Sequence, residues 1–125
     1  MLTDTVLDFT RAMEGLVADG DAPEDWTALA DFVAVDEFQR VGTFREVQDW
    51  QRYTSMLTQW ASSVDKFEAS VQRITEAANL VFFEIEERHH RNGAVHIVNS
   101  MTVFDFDDNG KIRRLNVYLQ QGSEG

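Results

Sequence analysis

Apolar residues recur every three to four positions at the start of the chain: Leu2, Val6, Phe9, Met13 and Leu16. That spacing predicts a helix from about Thr3 to Ala18 with one buried stripe. Thr3 or Asp4 serves as its N-cap, and Gly20 suits the left-handed position after its end. Pro23 fits the first turn of a short second helix, whose buried side is Trp26, Leu29, Ala30 and Val33. Phe32–Phe38 reads as a short strand, broken by Gly42-Thr43-Phe44. Thr43 and Glu46 have the spacing of a capping box, which predicts a third helix from there to Ser62-Ser63. Its inner face carries Val47, Trp50, Thr54, Leu57 and Ala61, with Tyr53, Met56 and Trp60 beside them.

The period then changes from about 3.6 to 2, the mark of strands. Three or four are predicted, over Lys66 to Thr75, Leu80 to Arg91, Ala94 to Phe106, and Lys111 to Gln121. Asn92-Gly93 and Asn109-Gly110 lie between apolar-rich runs. Each marks a hairpin whose turn takes positive φ at both central residues. A two-residue turn at Asn92-Gly93 sets a register. His89 then opposes His96, Glu87 opposes Val98, Ile85 opposes Ser100, and Phe83 opposes Thr102. One face carries Val81, Phe83, Ile85, Glu87, His89, His96, Val98, Ser100 and Thr102, and is expected to be concave and to face the helices. The other carries Val95, Ile97, Met101 and Val103 among charges, an outer face that suits a second subunit.

At 125 residues the chain is expected to form one domain over residues 1–121, with a loose tail at 122–125. Acids outnumber bases by 22 to 11, for a net charge of −11. With no basic patch, such a surface repels phosphate backbones and anionic lipid, so nucleic-acid and membrane partners are not expected. There is no cysteine, which removes disulfides, thiolate catalysis and Cys-ligated zinc. No run approaches the length of a membrane span and the first residues do not read as a signal peptide, so a cytoplasmic location is expected.

Several groups carry candidate chemistry. Glu37, beside an apolar pocket, suits a general base. His89 and His96 face one another near Glu87, as a proton shuttle or divalent-metal ligands, but no ligand-spacing motif supports a metal and none is expected. Tyr53, Trp60, Ser100 and Thr102 can offer polar contacts inside the pocket. The run from Asp105 to Gly110 matches the opening of a calcium loop. Its twelfth position is Asn116 rather than a bidentate Glu, so the acids are read as serving the turn.

Three residue groups bear a resemblance to a known superfamily. They are Gly20-Asp21 ahead of Leu29-Ala30-Asp31 and Val33 to Glu37, then Gly42-Thr43-Phe44-Arg45-Glu46-Val47, and the last hairpin Phe104 to Tyr118. With the helix-helix-strand-helix-strands order, the chain resembles the nuclear transport factor 2-like superfamily, and within it the SnoaL-like and ketosteroid-isomerase-like proteins. The resemblance implies an α+β fold: a cone-shaped, curved antiparallel sheet wrapped around three N-terminal helices, a mostly apolar pocket, and a homodimer. It also marks departures. The ketosteroid-isomerase catalytic positions fall on Met13, Thr102 and Glu37, so only the base persists. The last-strand site of limonene-epoxide-hydrolase-like proteins falls on Leu115, Asn116, Val117 and Tyr118, without its Asp. A steroid isomerase and that epoxide hydrolase are therefore poor readings.

The reading that follows is a SnoaL-like small-molecule enzyme without a cofactor. It would apply acid–base chemistry to an apolar cyclic or polyketide-like substrate, as isomerase, dehydratase, cyclase or epoxide-opening enzyme. Glu37, Tyr53 and His96 are its candidate catalytic residues. Met13, Trp60, Phe83, Ser100, Thr102, Leu115 and Val117 are its candidate substrate-binding residues. The rival class is a non-catalytic ligand-binding or protein-interaction module of the same fold.

Overall fold

The structure is a computed structural model that describes residues 1–18 and 25–121. Gly20, Asp21, Pro23 and the tail at 122–125 lie outside the described residues. α1 spans Leu2–Ala18 and buries Val6, Phe9 and Val17. It lies along the sheet's edge and is tied to it at both ends. The Ala69 N–H donates to Glu14 Oε2 at 2.9 Å, and the Thr3 N–H donates to Glu76 Oε1 at 3.3 Å. An edge strand has unpaired backbone donors, and Glu14 satisfies one of them.

α2 is a single turn, Thr27–Ala30, with Leu29 fully buried. The strand expected at Phe32–Phe38 is not formed. Val33 makes one isolated bridge to Ile112, and residues 35–37 form a turn closed by the Glu37 N–H donating to the Ala34 carbonyl. The extended segment comes later, as the hairpin of β1 (Gln39–Val41) and β2 (Val47–Gln48). The expected capping box is likewise replaced. Glu46 does bind a nearby backbone donor, but it is the Phe44 N–H within the hairpin turn, at 2.9 Å. Arg45 there has φ 64°. α3 begins later, at Trp50, and runs to Ser63. Asp49 is its N-cap, accepting from the Arg52 N–H. Val47, assigned to the helix by periodicity, is an exposed strand residue.

β3 (Lys66–Ala77), β4 (Leu80–Arg91), β5 (Ala94–Phe106) and β6 (Ile112–Gln121) follow closely the strands that the period-2 pattern marks out. The β4–β5 register pairs His89 with His96, Glu87 with Val98, Ile85 with Ser100 and Phe83 with Thr102, as the two-residue turn requires. Asn92 and Gly93 both have positive φ, 50° and 81°. The β5–β6 turn differs: only Gly110 is left-handed, at 76°. The Gly110 N–H donates to the Asp107 carbonyl, and the Asp107 N–H to the Lys111 carbonyl. This is a three-residue loop, a type I turn with a left-handed glycine after it. Asp107 Oδ1 accepts from the N–H groups of Asn109 and Lys111, so this acid stabilises the turn.

The six strands form one sheet in the order β2-β1-β6-β5-β4-β3, with β2 and β3 as its two edges. It is mixed rather than wholly antiparallel, because β1 pairs with β6 in parallel, Arg40 beside Leu115. The core joins Val6, Phe9 and Leu29 to Leu57 and Ala61, and to Val81, Phe83, Ile85, Phe104 and Leu115 on one sheet face. Phe9, Phe83 and Phe104 meet edge to face at 5.9 to 6.1 Å, a favourable arrangement for aromatic pairs. No helix among the described residues is long and apolar enough to cross a membrane.

Candidate active site

A cavity of about 530 Å³ lies between α1, α3 and the inner sheet face. Its wall changes character along β4. Phe83 and Ile85 are apolar, and Glu87, His89 and Arg91 follow on the same face at two-residue steps. Tyr53, Trp60, Met13 and Phe83 all line this space, as expected. So do His96, Thr102, Leu115 and Val117.

Two expected residues lie elsewhere. Glu37 is exposed in the turn at 35–37 and does not border the cavity. Its expected position depended on the strand at Phe32–Phe38, which is not formed. Ser100 sits on the inner face but is buried behind the wall, and its hydroxyl donates to Glu87 Oε2 at 2.5 Å. It holds a side chain that faces the cavity rather than facing the cavity itself.

The carboxylate at the cavity is Glu87. Its second oxygen, Oε1, lies 2.9 Å from His89 Nε2. Trp60 Nε1 lies 3.1 Å from His89 Nδ1. An indole N–H only donates, so Nδ1 accepts and the imidazole proton resides on Nε2, which donates to Glu87. A directed chain results, from Trp60 to His89 to Glu87, with Ser100 donating from the other side. Protonating His89 as well would set two N–H groups against each other. The two bonds fix the His89 ring and point its Nε2–H at Glu87, whose carboxylate is thereby held at the cavity wall. His96, exposed, lies with its ring centre 6.5 Å from that of His89 and marks the solvent side of the polar wall.

The other polar group is Tyr53, on α3. Burial pushes its hydroxyl up to about 12, with the Arg40 charge opposing the shift and the Glu87 charge adding to it. It is a neutral O–H donor throughout the ordinary pH range. Arg40 also lines the cavity from β1. Its Nη1 donates to Gln48 Oε1 at 3.1 Å and faces Glu46 at 3.8 Å. Sequence reasoning did not find Arg40, because the strand that carries it was not predicted. Glu87 was assigned to the right face and beside the two histidines, but as their companion rather than as the central acid. Among the described residues no three His, Asp or Glu side chains are grouped so as to hold a metal ion.

No family model matches this sequence, and no curated protein matches it. Solved structures do. IdmH of Streptomyces antibioticus, a candidate polyketide cyclase, superposes with a TM-score of 0.75 at 13% identity, over 96% of this chain and 92% of that one. A candidate SnoaL-like polyketide cyclase from Jannaschia sp. CCS1 gives 0.71 at 14% identity, over 95% and 85%. An NTF2-like protein from Anabaena variabilis gives 0.69 at 21% identity, over 98% and 92%. The chain has the nuclear transport factor 2-like fold.

Proposed function

We propose that this protein is a SnoaL-like enzyme that moves protons on an apolar cyclic or polyketide-like substrate, with Glu87 as the general base. The observation that carries this reading is Glu87 at the wall of a largely apolar cavity, oriented by Ser100 on one oxygen and His89 on the other. Glu87 takes a proton from a carbon next to a carbonyl, and the electron pair moves onto the carbonyl oxygen as an enolate. The Tyr53 hydroxyl donates a hydrogen bond to that oxygen, and the nearby Arg40 charge stabilises it. Return of the proton to another carbon gives isomerisation. Attack of the enolate on a second carbonyl gives ring closure. The candidate cyclases among the structural neighbours favour ring closure, and His96, exposed beside His89, is the residue we assign to relay protons to solvent. We also propose that the sheet is curved into a cone around the helices and that a second copy of the chain covers its outer face.

The second reading, a ligand-binding module without catalysis, is favoured by the same chain of bonds. Both Glu87 oxygens already have donors, as in a purely structural acid. Deuterium exchange into β-tetralone in D₂O separates the two, since it needs only a cavity and a base. The wild type is expected to speed exchange, and Glu87→Gln to lower the enzymatic rate by about 10²-fold or more, the usual contribution of a positioned base. Glu37→Gln is expected to leave it unchanged. Equal rates for wild type and Glu87→Gln would falsify the assignment of the base.

A further inference from the structure

The cavity's charge runs against that of the molecule. The chain has 22 acids and 11 bases, yet the charged residues lining the cavity are Arg40 and Arg91 against Glu87 alone, with two histidines. The two arginines differ in how they are satisfied. Arg40 is held within its own hairpin by Gln48 and Glu46. Arg91 forms no ion pair with any described residue, and its Nε is buried without a hydrogen-bond partner. It is only partly exposed, whereas the other arginines for which no ion pair is found, Arg11, Arg45, Arg52 and Arg114, are exposed to water. A guanidinium donor that loses water without gaining an acceptor costs stability. Such a group at the wall of a cavity leaves a donor open to an incoming acceptor, and a carboxylate matches its charge and geometry best.

We propose that the cavity binds an amphipathic carboxylic acid, its carboxylate on Arg91 and its apolar body extending past Glu87 toward Phe83. Three observations shape this class. Guanidinium and carboxylate pair through two parallel hydrogen bonds, a match that a neutral carbonyl does not offer. His96 is the diagonal neighbour of Arg91 across the β4–β5 pair, since Arg91 opposes Ala94, and it flanks the same end. Four residue steps of strand carry the chain from Glu87 to Arg91, ~13 Å between their Cα atoms. The reacting carbon is therefore remote from the carboxylate, and the acid acts as an anchor rather than as the group transformed. This inference rests on the same cavity as the proposed reaction and deepens it by naming what the substrate must carry.

Calorimetric titration with β-naphthoate and its neutral counterpart β-naphthamide, at low and high salt, tests it. The wild type is expected to bind the acid about tenfold or more tightly than the amide, as a charge-assisted contact gives, with the preference shrinking at high salt. Arg91→Gln is expected to abolish the preference while leaving amide affinity within about twofold. Arg91→Lys keeps the charge without the fork and is expected to retain part of it. Thermal melts establish that each variant is folded, and if neither is, the wild-type comparison decides. Equal affinity for the two probes, a preference that survives in folded Arg91→Gln, or binding of neither probe overturns the proposal. Glu87→Gln separates it from the catalytic reading. Exchange unaffected with acid preference intact removes Glu87 as base and leaves the anchor standing. Exchange lost in Glu87→Gln, with no acid preference in the wild type, does the reverse.

Discussion

Ala78 closes the β3–β4 hairpin with φ 56°, a left-handed conformation that costs an L-residue with a Cβ roughly 1–2 kcal/mol. Ala78→Gly relieves that cost but adds chain entropy to the unfolded state, so a net gain of about 0.5–1 kcal/mol is expected in urea unfolding. Tyr53 sets an alkaline limit on stability. Its folded value, about 12, stands above the unfolded value near 10.0. Above the lower value the unfolded chain sheds its proton while the folded one keeps it, so the folded state binds more protons and stability falls with rising pH. The contribution is complete below pH 10 and is lost as pH rises through 12. A phenolate absorbance titration should show Tyr53 ionising last, together with unfolding, and Tyr53→Phe should flatten that part of the stability curve. At this scale much of the site was legible. Met13, Tyr53, Trp60, Phe83 and His96 were placed by helix spacing, strand parity or motif position. Glu37 was not, because its placement required a strand where the polar pair Asp36-Glu37 instead turns toward solvent.

Among the elements, the longer ones followed their periodicity and the short ones did not. β4 and β5 share an Asn-Gly turn and pair only with neighbours close in sequence, so local pattern and final contacts agree. β1 is three residues long; it pairs with β2 in a short hairpin and joins the sheet only through β6, far along the chain. No window around Gln39 records that pairing, and Arg40 was overlooked with it. The start of α3 was misread because Thr43 and Glu46 mimic a capping box at the right spacing, while the true cap, Asp49, has no Glu three residues on. The two caps make a direct comparison. Asp49→Ala is expected to destabilise the protein by about 0.5–2 kcal/mol, the usual cost of losing an N-cap. Thr43→Ala, in an exposed turn, is expected to stay within about 0.5 kcal/mol. The opposite order in thermal or denaturant unfolding would restore the longer helix.

Across the whole molecule, the outer sheet face presents Val95, Ile97 and Tyr118 at 48, 53 and 60% exposure, with Met101 and Val103 half-buried beside them. An apolar stripe of that kind on a protein of net charge −11 fits a self-complementary contact better than open water. Sedimentation should show a dimer for the wild type, and Ile97→Lys should shift it to monomer with the inner cavity still able to bind its probes. A monomeric wild type at tens of micromolar would remove this part of the reading. The same sheet carries a consequence for how the molecule is made. β1 is joined to the long strands only through β6, the last strand among the described residues. A nascent polypeptide can close the β3–β4–β5 meander early, but the first strand has no partner in it until residues 112–121 have left the ribosome. The wall bearing Arg40 is therefore completed only once β6 has been made, and a chain that stopped before residue 112 would lack both the partner of β1 and the cavity-lining side chains of Leu115, Val117 and Leu119.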